Sequence, residues 1–345
     1  MMRQLLLAIG TLTLLLVTEA NAVAATDGQQ LALGAGQSLI GTPAPRLTLK
    51  TIDGETIDLG SLYGKRAVYL KFWATWCVPC RQQMPHFEHV YESAGSDLAV
   101  IAIDVGFNDT VDAIRAYRTK LGITMPIVFD EGGQIGGTLH LRVTPQHIVI
   151  GRDGRIQYVG HLADARLDAA LLAAREAPGV LVSGAAPQSS GASAAPRYGI
   201  GDALPPQTVR TLDHHTFELR RPQSSNTTVL VFLSPWCESY LATTRPVVAA
   251  NCREARTQVM ALARNKHLRF LGVASGLWAT AQDLRDYRAN FKVDIPLTLD
   301  DTGALFREFA VNNTPTVIVA DSAGRIVRRV EAGDTSTMGQ ALKGL

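Results

Sequence analysis

Two of the four cysteines in this 345-residue chain, Cys77 and Cys80, are separated only by Val78 and Pro79. Thiols at this spacing exchange disulfides when the first is held as a thiolate and the second lies close enough to displace it. The apolar run Val68 to Trp73 precedes the pair, and Met84, Phe87 and Tyr91 recur at helical spacing after it. Cys77 is therefore expected at the start of a helix, where partial positive charge lowers a thiol pKa from about 8.5 toward about 7 or below. That makes Cys77 the nucleophile and Cys80, one turn on and deeper, the resolving thiol. Pro79 stiffens the spacer at a first-turn position where a missing N–H costs nothing. A zinc site would need a second ligand pair, but Cys237 and Cys252 are 15 residues apart and no histidine pair stands at finger spacing. A purely structural bridge fits poorly, because so short a loop constrains the unfolded chain little.

The elements that must position the pair follow from periodicity. Val68 to Trp73 and Leu98 to Val105 are continuous enough to be strands buried on both faces. The helix after Cys80 should be kinked early by Pro85. Val111, Ile114, Tyr117 and Leu121 mark a second helix, started near Asn108 or Asp109 and stopped at Gly122. Ile127 to Phe129, His147 to Ile150 and Arg155 to Val159 read as strands, the last two joined by the turn Arg152-Asp153-Gly154, and Ala163 to Glu176 as a closing helix. Strands alternating with helices and ending in a hairpin predict an α/β fold, a mixed central sheet flanked by helices.

The chain carries this unit twice. At an offset of 160, Gly41, Pro45, Asp53, Leu59, Phe72, Trp76 and Cys77 fall on Gly201, Pro205, Asp213, Leu219, Phe232, Trp236 and Cys237. Further on the offset is 170, and Asp130, Thr144-Pro145 and Gly154-Arg155-Ile156 meet Asp300, Thr314-Pro315 and Gly324-Arg325-Ile326. The second copy has thus gained ten residues after its cysteine. Residues Ser183 to Arg197, rich in Ser, Ala, Gly and Pro, read as a flexible linker between tandem domains at 41–182 and 198–345. Residues 1–22, with Arg3, the apolar run Leu5 to Val17 and Ala20-Asn21-Ala22, fit a secretory signal cleaved after Ala22, followed by an N-terminal extension at 23–40. The expected product is exported, periplasmic and soluble, with an uncleaved N-terminal anchor as the alternative. A formal net charge of +2 offers no basic field for nucleic acid, and no cofactor-binding motif or metal-ligand set is expected.

The run FWATWCVPCRQQMP, followed by Val143-Thr144-Pro145 and the hairpin IVIGRDGRI, resembles the thioredoxin-like family of exported thiol-disulfide oxidoreductases, the TlpA and ResA type. The resemblance spans roughly Gly41 to Glu176. It implies a thioredoxin-like fold for each copy and reduction of protein disulfides outside the cytoplasm, with a membrane thiol-transferring reductase as electron donor. It also implies that Trp76 precedes the reactive thiol, that Pro145 is a cis-proline beside the dithiol and that the Thr144 backbone pairs with the substrate chain. Two positions depart from the family. Gln83 stands where many members carry a glutamate, and Lys71 stands where thioredoxin has a buried acid. A lysine beneath the dithiol would favour the thiolate; the alternative is that Lys71 snorkels to the sheet's end.

The second copy keeps Trp236 and Cys237 but has Tyr240 at the resolving position, so it cannot form a CxxC bridge. Cys252, about 22 Å away along a straight helix, is out of reach unless Pro246 breaks that helix, and otherwise reads as a buried core thiol. The second domain is thus expected to bind or position clients through a single active-site-like cysteine. A peroxiredoxin-like peroxidase is a rival reading: Ser234 fits its hydroxyl position, while Leu230 replaces its proline. Copper delivery is another, although copper-binding members place three residues between their cysteines. His86 and His89 on one helix face and His214-His215 at a turn are better read as solvated.

Overall fold

The structure, a computed structural model, describes residues 28–179, 197–221, 226–331 and 342. The signal segment lies outside them, as does the linker apart from Arg197. A helix, α1 (residues 28–36), leads into the hairpin β1 (Thr48–Lys50) and β2 (Thr56–Asp58) and the short α2 (Leu59–Leu62). The first domain continues through β3 (Ala67–Trp73), α3 (Val78–Glu92), β4 (Leu98–Asp104), α4 (Val111–Leu121), β5 (Ile127–Phe129), α5 (Gln134–Thr138), β6 (Gln146–Ile150), β7 (Ile156–Gly160) and α6 (Ala165–Glu176). Its sheet runs β5-β4-β3-β6-β7, with β3, β4 and β5 parallel and β6 and β7 antiparallel to their neighbours. Every residue of β3 and β4 is buried, as their unbroken apolar runs require.

Local chemistry sets the boundaries. Helix α4 starts at Thr110, whose hydroxyl accepts the Ala113 N–H; the expected caps are engaged elsewhere, Asn108 being left-handed at φ 50° and Asp109 bonded to Thr75. Gly122 ends the helix at φ 65°, where a side chain would be strained. Helix α3 runs through Pro85 as one element.

The second domain repeats the plan with β8 (Thr208–Arg210), β9 (Thr216–Glu218), β10 (Thr227–Leu233), α7 (Cys237–Tyr240), α8 (Pro246–Leu262), β11 (Leu268–Ser275), α9 (Ala281–Phe291), β12 (Leu297–Asp300), α10 (Ala304–Glu308), β13 (Thr316–Ala320) and β14 (Ile326–Glu331). Its sheet order, β12-β11-β10-β13-β14, matches the first. The protein is two tandem thioredoxin-like domains. Even surface details recur: Arg118–Asp53 and Arg288–Asp213 are equivalent ion pairs, both at 2.6 Å. The copies differ after the cysteine. The single helix α3 is replaced by the four-residue α7, a turn, and α8 beginning at Pro246.

The domains pack on each other at the ends of their sheets that carry Trp76 and Trp236. These indoles lie 5.4 Å apart between ring centres, and Phe107 stacks on Trp278 at 5.6 Å. Asn108 N–H donates to Asn312 O at 2.8 Å, and Thr314 N–H donates to Asn108 Oδ1 at 2.8 Å. Arg245 reaches across to the buried Asp109 carboxylate at 2.9 Å and also bonds Thr75 Oγ1. Burial, with Arg245 opposing it, holds Asp109 above the ordinary carboxyl range. The folded state therefore favours its protonated form, and stability falls as pH rises through that raised pKa. Arg245→Met should raise it further. The variant is expected to lose about 1–3 kcal/mol at pH 8 and clearly less at pH 5, measured by urea unfolding; a loss independent of pH would contradict this.

Candidate active site

Strand β3 delivers the chain to the site and α3 begins there. Cys77 is the N-cap of α3, with φ −76° and ψ 108°, and its sulfur accepts the Cys80 N–H at 3.2 Å. This places the sulfur among the unpaired amides of the first turn, the arrangement that favours a thiolate. Cys77 and Cys80 are joined as a disulfide with Cα atoms 5.2 Å apart, and both are fully buried. Trp76 is pinned by its indole N–H, which donates to Phe107 O at 2.7 Å. The Thr144–Pro145 peptide is cis, at the head of β6 beside β3; Pro145 is buried and Thr144 half-buried. Val78 stays 43% exposed and Tyr240, packed on Trp76 from the second domain, 39%.

Joined to the cis-proline is a largely buried polar chain whose bond directions are fixed by its ends. Pro145 O can only accept, so His161 Nδ1 carries the hydrogen of their 2.7 Å bond. Gln83 donates through Nε2 to His161 O at 3.1 Å, which turns Oε1 toward His147 Nε2 at 2.8 Å. His147 therefore donates from Nε2 and accepts the Tyr69 hydroxyl at Nδ1, 2.8 Å away. Both histidines are held neutral, their pKa values lowered first by burial and further by the charge of Lys71. A glutamate at position 83 could accept from His147 but, ionised, could not donate to His161 O. Glutamine satisfies both.

Lys71 stands opposite His147 in the β3–β6 register and is fully buried, so it does not snorkel. Among the described residues its amine has no hydrogen-bond partner, and it lies 5.1 Å from the centre of the Phe87 ring. Burial pushes its pKa down to about 7. Two further acids have no site role in the sequence, where Asp109 reads only as a helix start. Asp104, at the end of β4, is fully buried and raised well above the carboxyl range by burial and by nearby Asp109, which accepts the Thr75 N–H and hydroxyl.

In the second domain Cys237 is bonded to Cys252, with Cα atoms 6.3 Å apart. This corrects the expectation of a single, unpaired Cys237, and it comes about by the break that the sequence left open: the chain turns between Leu241 and Arg245, and Pro246 starts a new helix that swings Cys252 back. Thr314–Pro315 is cis, as in the first copy. The Cys252 sulfur lies 3.7 Å from Thr314 O. His86 pairs with Asp168 on the surface at 3.1 Å.

Residues 40–159 match the AhpC/TSA family. The chain is 31% identical over 132 residues to thiol-disulfide oxidoreductase ResA of Bacillus thuringiensis, covering 37% of this chain and 75% of that protein. The chain belongs to the ResA-like thiol-disulfide oxidoreductases. It is also 36% identical over 118 residues to the thioredoxin-like protein YneN of Bacillus subtilis, covering 34% of this chain and 68% of YneN. Among solved structures, a putative protein disulfide isomerase from Bacteroides thetaiotaomicron is 30% identical with a TM-score of 0.35, covering 39% of this chain and 86% of its own. StoA from Bacillus subtilis is 24% identical with a TM-score of 0.32, covering 36% and 93%.

Burial of Lys71 has a consequence for stability. The folded chain favours the neutral amine above pH 7, whereas the unfolded chain keeps the proton up to about 10.4. Between those values the unfolded state binds more protons, so stability should climb with pH. Lys71→Met removes that slope. It should be more stable than the parent at pH 7 by on the order of 3 kcal/mol, with the gap closing toward pH 10; a gap constant across urea melts at those pH values would contradict the assignment.

Proposed function

We propose that the protein is an exported reductase of protein disulfides. The carrying observation is the capped Cys77 sulfur, bonded to the Cys80 N–H, on the sheet end that also holds the cis Thr144–Pro145 peptide. In the reduced protein the Cys77 thiolate attacks a client disulfide and forms a mixed disulfide. Cys80 then gives up its proton and attacks Cys77, releasing the client as a dithiol and leaving the Cys77–Cys80 bridge. A client strand would run along the half-buried edge at Thr144, between Val78 and Tyr240. Tyr240 is thus the means by which the second domain positions clients. A membrane thiol-transferring reductase would restore the dithiol. The signal-like segment at residues 1–22, read from the sequence as cleaved after Ala22 and lying outside the described residues, favours an exported product; among the described residues no helix is long and apolar enough to cross a membrane. A peroxidase reading is disfavoured, since Leu230 stands where that motif has its proline and Ser234 Oγ, at its hydroxyl position, bonds Thr314 Oγ1 at 3.0 Å.

Insulin reduction tests the activity: Cys77→Ser in the full chain should abolish it, and retained turnover would refute the reading. Glutathione-buffer titration should place the Cys77–Cys80 potential nearer about −270 mV than the about −120 mV of a strong oxidant. For Lys71 we assign support of the Cys77 thiolate. Lys71→Met should shift the midpoint of iodoacetamide alkylation of Cys77 to higher pH, and an unchanged midpoint would remove Lys71 from the site.

A further inference from the structure

We propose that Cys237–Cys252 is a second redox-active disulfide, exchanging electrons with Cys77–Cys80 across the contact between the domains. The first argument is position. Cys237 follows β10 and Trp236 as Cys77 follows β3 and Trp76, and Cys252 comes to lie against the backbone of cis Thr314–Pro315. The second domain has therefore rebuilt a cysteine pair beside its cis-proline, taking the partner sulfur from α8 because Tyr240 holds the usual position. Tyr240 itself has turned outward, its ring 6.1 Å from Trp76 and 5.8 Å from Trp236.

The second argument is juxtaposition. The residues immediately before the two leading cysteines, Trp76 and Trp236, lie ring to ring at 5.4 Å, and Tyr240 interacts with the Val78 backbone. Both dithiol ends thus face one shared surface. The second domain's groove is also occupied from across that surface: the Thr314 N–H, next to the cis peptide, is taken by Asn108 Oδ1 at 2.8 Å. A partner for the second disulfide is already supplied within the chain.

The exchange balances without any outside reagent. The Cys77 thiolate attacks the Cys237 sulfur; the Cys237–Cys252 bond breaks, and Cys252 leaves as a thiolate that takes up a proton. Cys80 loses its proton and attacks the Cys77 sulfur, breaking the Cys77–Cys237 bond and freeing Cys237 as a thiolate. The first pair is oxidised by two electrons and the second is reduced by the same two. The inference rests on Cys77 and Cys80 being the working dithiol.

The test uses the full-length oxidised protein with dithiothreitol, sampled over time, quenched in acid, alkylated and mapped by peptide mass. Cys237–Cys252 should open under native conditions, and about tenfold or more slowly in the Cys77→Ser/Cys80→Ser variant. A bridge that stays closed until denaturant is added, or that opens equally fast in both proteins, overturns the inference. The map also reads Cys77 and Cys80, so inertness of the first dithiol is recognised separately. A Cys80→Ser/Cys252→Ser variant, which leaves only the two leading thiols, should form an intramolecular Cys77–Cys237 bond on mild oxidation; failure of a folded variant to do so also overturns it.

Discussion

The antiparallel register of β3 against β6, with Phe72 opposite Gln146 and Lys71 opposite His147, is the constraint from which the site follows. It places Pro145, one residue before Gln146, beside the chain that leaves β3 for Cys77. It also puts Lys71 and His147 side by side in a dry interior. A slip of one residue would turn each inward side chain to the other face and separate the cis-proline from the dithiol together with the polar chain from Tyr69 to Pro145. The second domain obeys the same rule, with Phe232 opposite Thr316 and Pro315 just before it.

That register was only partly legible in the sequence. Unbroken apolar runs marked the central strands, the two-residue spacer marked the chemistry, and the gapless match around Trp76-Cys77 marked the duplication. Each is a local signal or a comparison of local signals. The roles of His147, Gln83 and His161 are not local, because they depend on which strand lies opposite which residue. In the sequence Gln83 shows only as a departure from the glutamate that many family members carry, and its donation to the His161 carbonyl needs the fold to be seen. Cys252 was out of reach on a straight-helix measure. Its pairing depends on the turn from Leu241 to Arg245, which no periodicity announces, although Pro246 was the residue that made the break conceivable.

The tandem arrangement changes what the dithiol meets. Trp236 and Tyr240 of the second domain pack on Trp76, Arg245 pairs with Asp109, and Cys77 beside them is fully buried. The contact joins aromatic packing among Trp76, Phe107, Trp236 and Trp278 to polar anchors at Asp109 and Asn108. The buried groups behind the half-buried Thr144 edge bond the cis-proline loop, through His161 Nδ1 to Pro145 O, to the interior of the first domain.

The central claim, that Cys77 is the sulfur that meets the client, is tested most directly by trapping. Reduced full-length Cys80→Ser/Cys237→Ser protein, which lacks both thiols able to displace a client from Cys77, should on mixing with insulin and acid quenching yield a stable mixed disulfide mapped by mass spectrometry to Cys77. An adduct on Cys252 instead, or none on Cys77 in folded protein, would contradict the account.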